Sequence, residues 1–129
     1  MATKAELSIL VVDDFATMRK IIHNVLRQLG YDNIHQAEDG ASALEIIDRE
    51  PVDLVITDWN MPQMSGLDLL KAIRAHDNLA KQKIPVLMVT AESLQENIVA
   101  AAAAGVSNYI IKPFDAQTLA SKIDKVLAT

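Results

Sequence analysis

Short apolar runs in this sequence end in residues that can do chemistry. Ile9 to Val12 is followed by Asp13 and Asp14, Val52 to Thr57 by Asp58, Ile84 to Val89 by Thr90 and Ala91, and Ser107 to Ile111 by Lys112 and Pro113. Brought to one edge, they supply three carboxylates, a hydroxyl and an ammonium. Any one of them alone is explained as a helix cap or loop residue. All of them together are better explained as a site. Three neighbouring carboxylates repel one another and need a cation, and an all-oxygen donor set suits Mg2+ or Mn2+ better than zinc. Asn60 can add its backbone carbonyl from the loop beyond Trp59. Three carboxylates, one divalent ion and Lys112 leave the site near neutral, so the ion and the lysine can share the charge of an incoming phosphoryl group. A carboxylate can itself be a nucleophile and become an aspartyl phosphate. Thr90 and the amides near Asn60 and Ala91 can hydrogen-bond the phosphoryl oxygens.

The elements that must position these residues alternate strictly. Ile9 to Val12 is apolar on both faces and predicts a buried strand. Phe15, Met18, Ile21, Ile22, Val25, Leu26 and Leu29 recur at helical steps, and Gly30 supplies the stop. A weaker strand is expected near Asn33 to Ala37, and a helix from about Ala41 to Arg49 that Pro51 ends. Val52 to Thr57 is the next strand. Ser65 can cap a helix whose apolar residues are Leu67, Leu70 and Ile73. Ile84 to Val89 and Ser107 to Ile111 are strands, with helices at Glu92 to Ala104 and Ala116 to Leu127. Five strand–helix units imply right-handed crossovers, a parallel sheet and helices on both faces. The expectation is an α/β, doubly wound (βα)5 domain of flavodoxin-like order 2-1-3-4-5, with ligands beyond the carboxyl ends of strands 1 and 3. The central strand makes Asp58 the best nucleophile of the three acids.

Composition removes other classes. The 129 residues predict one domain, and 50% hydrophobic with 22% charged fits a globular chain. Cysteine is absent, which removes disulfide scaffolds, thiolate zinc sites and Cys nucleophiles. A net charge of −5 argues against nucleic-acid binding. No apolar run reaches the ~20 residues of a membrane span, and no signal-peptide segment opens the chain, so a cytoplasmic location is expected. Gly30, Gly40, Gly66 and Gly105 are too far apart for a phosphate-cradling glycine loop. His23, His35 and His76 all fall away from the acidic edge and read as surface or packing residues. The alanine-rich Glu92–Ala104 segment offers either a smooth face packed on the sheet or a surface that slides and accepts a partner helix.

Asp13-Asp14, Asp58, Thr90-Ala91 and Lys112-Pro113 resemble, over essentially the whole chain, the receiver domain of two-component response regulators. The stretches VVDDFATMRK, ITDWNMPQMSGLDLL, PVLMVTAE, ENI and KPF are similar to the chemotaxis members of that family. The resemblance implies a single receiver domain over residues 1–129 with no output domain, acting as a monomer. It implies that Asp58 accepts phosphate from a histidine kinase and that Asp13, Asp14, Asp58 and the Asn60 backbone carbonyl hold Mg2+. Thr90 and Lys112 would read the phosphoryl group, and Tyr109 would report it to the opposite face. Asn60 and Glu92 would tune hydrolysis of the adduct, and the Lys112-Pro113 bond would be cis. The implied partners are the kinase, a flagellar motor switch protein and a phosphatase, with no nucleic acid and no membrane. Such a chain is a phospho-accepting signalling domain that assists its own phosphotransfer and autodephosphorylation, not an enzyme. Two alternatives stay open. One is a stand-alone receiver shuttling phosphate outside chemotaxis. The other is a Mg2+-dependent phosphatase with an Asp nucleophile, against which Asp58-Trp59-Asn60 lacks the second acid of an Asp-x-Asp pair.

Overall fold

Alternation along each strand decides which layer a side chain joins. The computed structural model describes residues 3–91 and 95–128, with the backbone alone described at 95 and 96. In β1 (Ser8–Val12), Ile9 and Val11 enter one apolar cluster and Leu10 and Val12 the other, as the two-residue period of a strand requires. β3 (Leu54–Asp58) and β4 (Val86–Thr90) are also buried throughout. β2 (Asn33–Ala37) and β5 (Asn108–Ile111) are partly exposed and form the edges. The five strands are parallel in the order β2-β1-β3-β4-β5. This is the expected doubly wound order. The chain changes direction across the sheet between β1 and β3, which opens a crevice beyond their carboxyl ends.

Helices cover both faces. α1 (Ala16–Gln28) and α6 (Ala116–Leu127) bury Ile22, Leu26, Leu119, Ile123 and Val126 against the Ile9, Val11, Ile56 and Val89 side. α2 (Gly40–Arg49) and α3 (Gly66–Arg74) bury Ala43, Ile47, Leu69, Leu70 and Ile73 against the Leu10, Val12, Val55 and Met88 side. Helix starts are set by side-chain oxygens that satisfy free amides. Ser65 and Asp68 form a reciprocal capping box on α3. Asp39 caps α2 through Ser42 and Asp115 caps α6 through Thr118, and those hydrogen bonds lower the pKa of each aspartate.

Four expectations are corrected. Phe15 and Ile21 are 65% and 47% exposed, so the apolar stripe of α1 is wider than the face it buries. β3 and β4 start two residues beyond the predicted positions and include Asp58 and Thr90, because Val52 and Ile84 are buried without pairing in the sheet. The third helix buries Leu69 fully while Leu67 is only half-buried. A short helix, α4 (Leu79–Gln82) capped by Asn78, is additional; four residues are too few to show a periodicity. α5 spans Gln95–Ala103, and among its described side chains only Ala101 is buried while Val99 is 57% exposed.

One half-buried cation ties these connections together. Arg74, in the last turn of α3, donates through Nε to the Gly105 carbonyl at 3.0 Å and through Nη1 to the Gln82 and Ile84 carbonyls at 2.8 and 2.7 Å. Burial lowers the pKa of its guanidinium. The link joins the end of α5 to the segment that feeds β4. Among the described residues no helix is long and apolar enough to cross a membrane.

Candidate functional site

The carboxyl ends of β1, β3, β4 and β5 bring the acids, the hydroxyl and the ammonium to one crevice. Asp13 and Asp14 sit in the turn between β1 and α1, Asp58 and Thr90 close their strands, and Lys112 follows β5. Asp13, Asp58 and Thr90 are buried, at 1%, 6% and 4% exposure. One carboxylate oxygen from each of Asp13, Asp14 and Asp58 lies within 4.8 Å of the others.

Neighbouring donors orient two of the acids. The Phe15 amide donates to Asp13 Oδ1 and the Trp59 amide to Asp58 Oδ1, both at 2.9 Å. Lys112 Nζ stands 3.2 Å from Asp58 Oδ1 and 3.7 Å from Asp13 Oδ2. The Lys112 amide donates to the Thr90 carbonyl at 2.8 Å, which registers the lysine against the end of β4. The Lys112–Pro113 peptide is cis. Burial pushes the Asp13 carboxyl above its ordinary pKa; the Phe15 amide opposes this, Asp58 adds to it, Lys112 opposes and Asp14 adds. Asp14 differs, because its Oδ1 is buried and has no hydrogen-bond partner. A buried anionic oxygen left unsatisfied is costly. Three hard oxygen donors, one of them unsatisfied, fit a divalent cation such as Mg2+.

Of the other expected residues, Asn60 is exposed in the loop after Trp59, and Glu92 lies outside the described residues. Tyr109 is half-buried on β5, with Lys122 Nζ 5.5 Å from its ring centre. Thr90 and Tyr109 line one small cavity with Trp59, Met88, Asn97, Ile98 and Ala101, and its volume of about 10 Å3 holds one water at most. His76 bonds Asp48 at 2.6 Å and His23 lies 3.5 Å from Gln36, and neither is part of the acidic crevice.

Sequence reasoning passes over two residues that support the site. Arg19 on α1 donates from Nη1 to the Asp13 carbonyl at 2.7 Å. Gly66 begins α3 directly beneath Asp58, and its amide donates to the Trp59 carbonyl at 2.8 Å. A methyl at Gly66 would overlap the Asp58 carbonyl oxygen and press on Met88 Sδ at 2.8 Å. Only the Ser-Gly step at the helix start hints at this closeness. Gly66→Ala is therefore expected to destabilise the fold by about 1–3 kcal/mol, as overpacking does. A denaturant midpoint matching the wild type would refute that.

The profile of the response regulator receiver domain matches residues 9–124. The chain is 53% identical over 120 residues to the chemotaxis protein CheY-3 of Vibrio cholerae, covering 93% of this chain and 91% of that protein. Among solved structures, V. cholerae CheY4 superposes with a TM-score of 0.86 at 33% identity, covering 94% of this chain and 98% of that one. The receiver domain of a Pseudomonas aeruginosa sensor histidine kinase superposes at 0.84 with 28% identity, covering 95% and 98%, and holds a magnesium ion in its active-site cleft.

Proposed function

Since the chain belongs to the response regulator receiver domain family, we propose that it is a phosphorylation-activated chemotaxis regulator taking its phosphoryl group from a histidine kinase onto Asp58. The observation that carries this reading is the Asp13–Asp14–Asp58 cluster, with Asp13 and Asp58 buried, and Lys112 Nζ 3.2 Å from Asp58 Oδ1. The Asp13, Asp14 and Asp58 carboxylates and the Asn60 backbone carbonyl would hold Mg2+. When bound, the ion supplies charge neutralisation at the phosphoryl oxygens. Asp58 is the nucleophile: its carboxylate oxygen bonds to phosphorus as the bond to the donor imidazole breaks, and the donor leaves as histidine. Lys112 offsets the charge that the adduct brings. By the family resemblance Asn60 and Glu92 tune hydrolysis of the adduct, so the chain assists its own phosphorylation and dephosphorylation without being an enzyme for another substrate.

The signal leaves through Thr90 and Tyr109. Phosphate on Asp58 brings oxygens that draw the Thr90 hydroxyl toward the site. Tyr109 lines the same cavity as Thr90 and is the large side chain able to fill the space so vacated. The surface of α5, β5 and α6 then changes. The reader we propose for that surface is a flagellar motor switch segment, a reading supported by kinship with chemotaxis regulators, with the kinase and a phosphatase as further partners. Phosphorylation shifts such an equilibrium only by its differential affinity for the two states, so binding the partner and binding phosphate must favour each other.

The test is a titration of the motor-switch segment with and without a small acyl phosphate and Mg2+. The wild type is expected to bind about tenfold tighter when phosphorylated, and Thr90→Ala to keep the phosphate but gain about twofold or less. Equal affinity of both wild-type forms would remove the switch.

A further inference from the structure

We infer that Arg19 is the positioning residue for Asp14, setting the affinity of the acidic crevice for its divalent cation through the backbone; this rests on the Mg2+ reading above. The three acids are held in different ways. The Asp13 and Asp58 carboxylates each accept a backbone amide, at 2.9 Å, and each has Lys112 nearby. Asp14 Oδ1 has no hydrogen bond to orient it. What constrains Asp14 is the plane of the peptide that precedes it, and the oxygen of that peptide is the Asp13 carbonyl. Arg19 Nη1 holds this oxygen at 2.7 Å, while the Asp13 amide donates to the Ala37 carbonyl at 3.2 Å. A peptide is planar and rigid, so fixing its oxygen limits the direction in which the next Cα–Cβ bond leaves.

The partner choice of Arg19 supports this. It reaches the backbone of a residue in the acidic cluster, yet among the described residues it forms no ion pair within 4.0 Å. Its strong donor is spent on a neutral carbonyl. A guanidinium placed to neutralise the crevice would face a carboxylate oxygen, as Lys112 does. α1 is held to the sheet by Ile22 and Leu26, so Arg19 projects from an anchored helix. Residues that orient metal ligands in this indirect way typically carry about 10- to 100-fold in metal affinity.

The sign of the effect separates positioning from charge. Losing a nearby cation strengthens Mg2+ binding if Arg19 acts only through its field. Losing the tether weakens it. Mg2+ titration followed by Trp59 fluorescence should show Arg19→Met binding about tenfold more weakly than the wild type, with Arg19→Lys between the two. Thermal melts with and without Mg2+ give a second readout. A merely structural loss lowers both melts equally, whereas lost positioning shrinks the increment that Mg2+ adds. Should Arg19→Met fail to fold, Arg19→Lys decides alone, weaker binding supporting the inference and unchanged or tighter binding overturning it. For a folded Arg19→Met, Mg2+ affinity equal to or above the wild type overturns the inference and leaves the receiver reading intact. A wild type that responds to Mg2+ in neither assay removes both.

Discussion

Replacing Asp58 by asparagine is expected to lower labelling by a small acyl phosphate with Mg2+ by at least about a hundredfold. The amide has the shape of the carboxylate and keeps an oxygen for the Trp59 amide, which donates to Asp58 Oδ1 at 2.9 Å. It removes the nucleophile and one of the two carboxylates within 4.0 Å of Lys112 Nζ. Mass spectrometry of the intact chain is the direct measurement, the wild type gaining one phosphoryl group that hydroxylamine removes. The substitution leaves the apolar layers of β3 untouched, so a folded, unlabelled variant is the outcome. Persistent labelling of Asp58→Asn would move the acceptor to another side chain and dissolve the role given to Lys112.

Asp13→Asn should act on stability and on metal binding in opposite directions. Burial raises the pKa of Asp13, with Asp58 and Asp14 adding to the shift against the Phe15 amide and Lys112. A carboxyl whose pKa is raised by folding contributes stability that is complete below its unfolded value and lost as pH rises through the folded one. At neutral pH in chelator the wild type therefore carries a penalty that the neutral amide relieves. The variant should therefore melt higher than the wild type in chelator. The gap should close as pH falls below the raised value of Asp13. Asp39 and Asp115 work the other way, since their lowered values give stability that is lost on acidification. They are common to both proteins and cancel in the difference. With Mg2+ present the order should reverse, because the variant has lost a charged ligand. A variant less stable than the wild type in chelator would show that Asp13 is not held at a desolvation cost.

Much of the fold was legible because it follows from apolar patterning. Ile9 to Val12 reads as a buried strand, and alternation of strands with helices leaves few topologies. Ser65 announced its helix through local capping chemistry. The acids, Thr90 and Lys112 were legible as a set because parallel strands deliver their ends to one edge. Other features depend on distances that composition and spacing do not encode. Phe15 and Ile21 belong to the apolar period of α1, yet they stay 65% and 47% exposed. Arg19 and Gly66 act through backbone carbonyls, and a carbonyl has no letter in a sequence. The tether of Arg74 to three carbonyls was invisible for the same reason.

The Arg74 tether and the composition of α5 together set an energy scale for motion. Exposing one buried Leu or Ile costs about 1.5–3 kcal/mol, so displacing α1 or α6 is a global event. Of the described α5 side chains only Ala101 is buried, and a methyl group forfeits little when it moves. Such a helix belongs to the low end of the local-unfolding spectrum, where opening is decoupled from melting of the whole chain. Its trailing end is pinned through Gly105 to Arg74, so inexpensive displacement is confined to pivoting rather than detachment. A single modification at the carboxyl edge thus meets one soft degree of freedom in an otherwise stiff frame, and the free energy it brings is concentrated there.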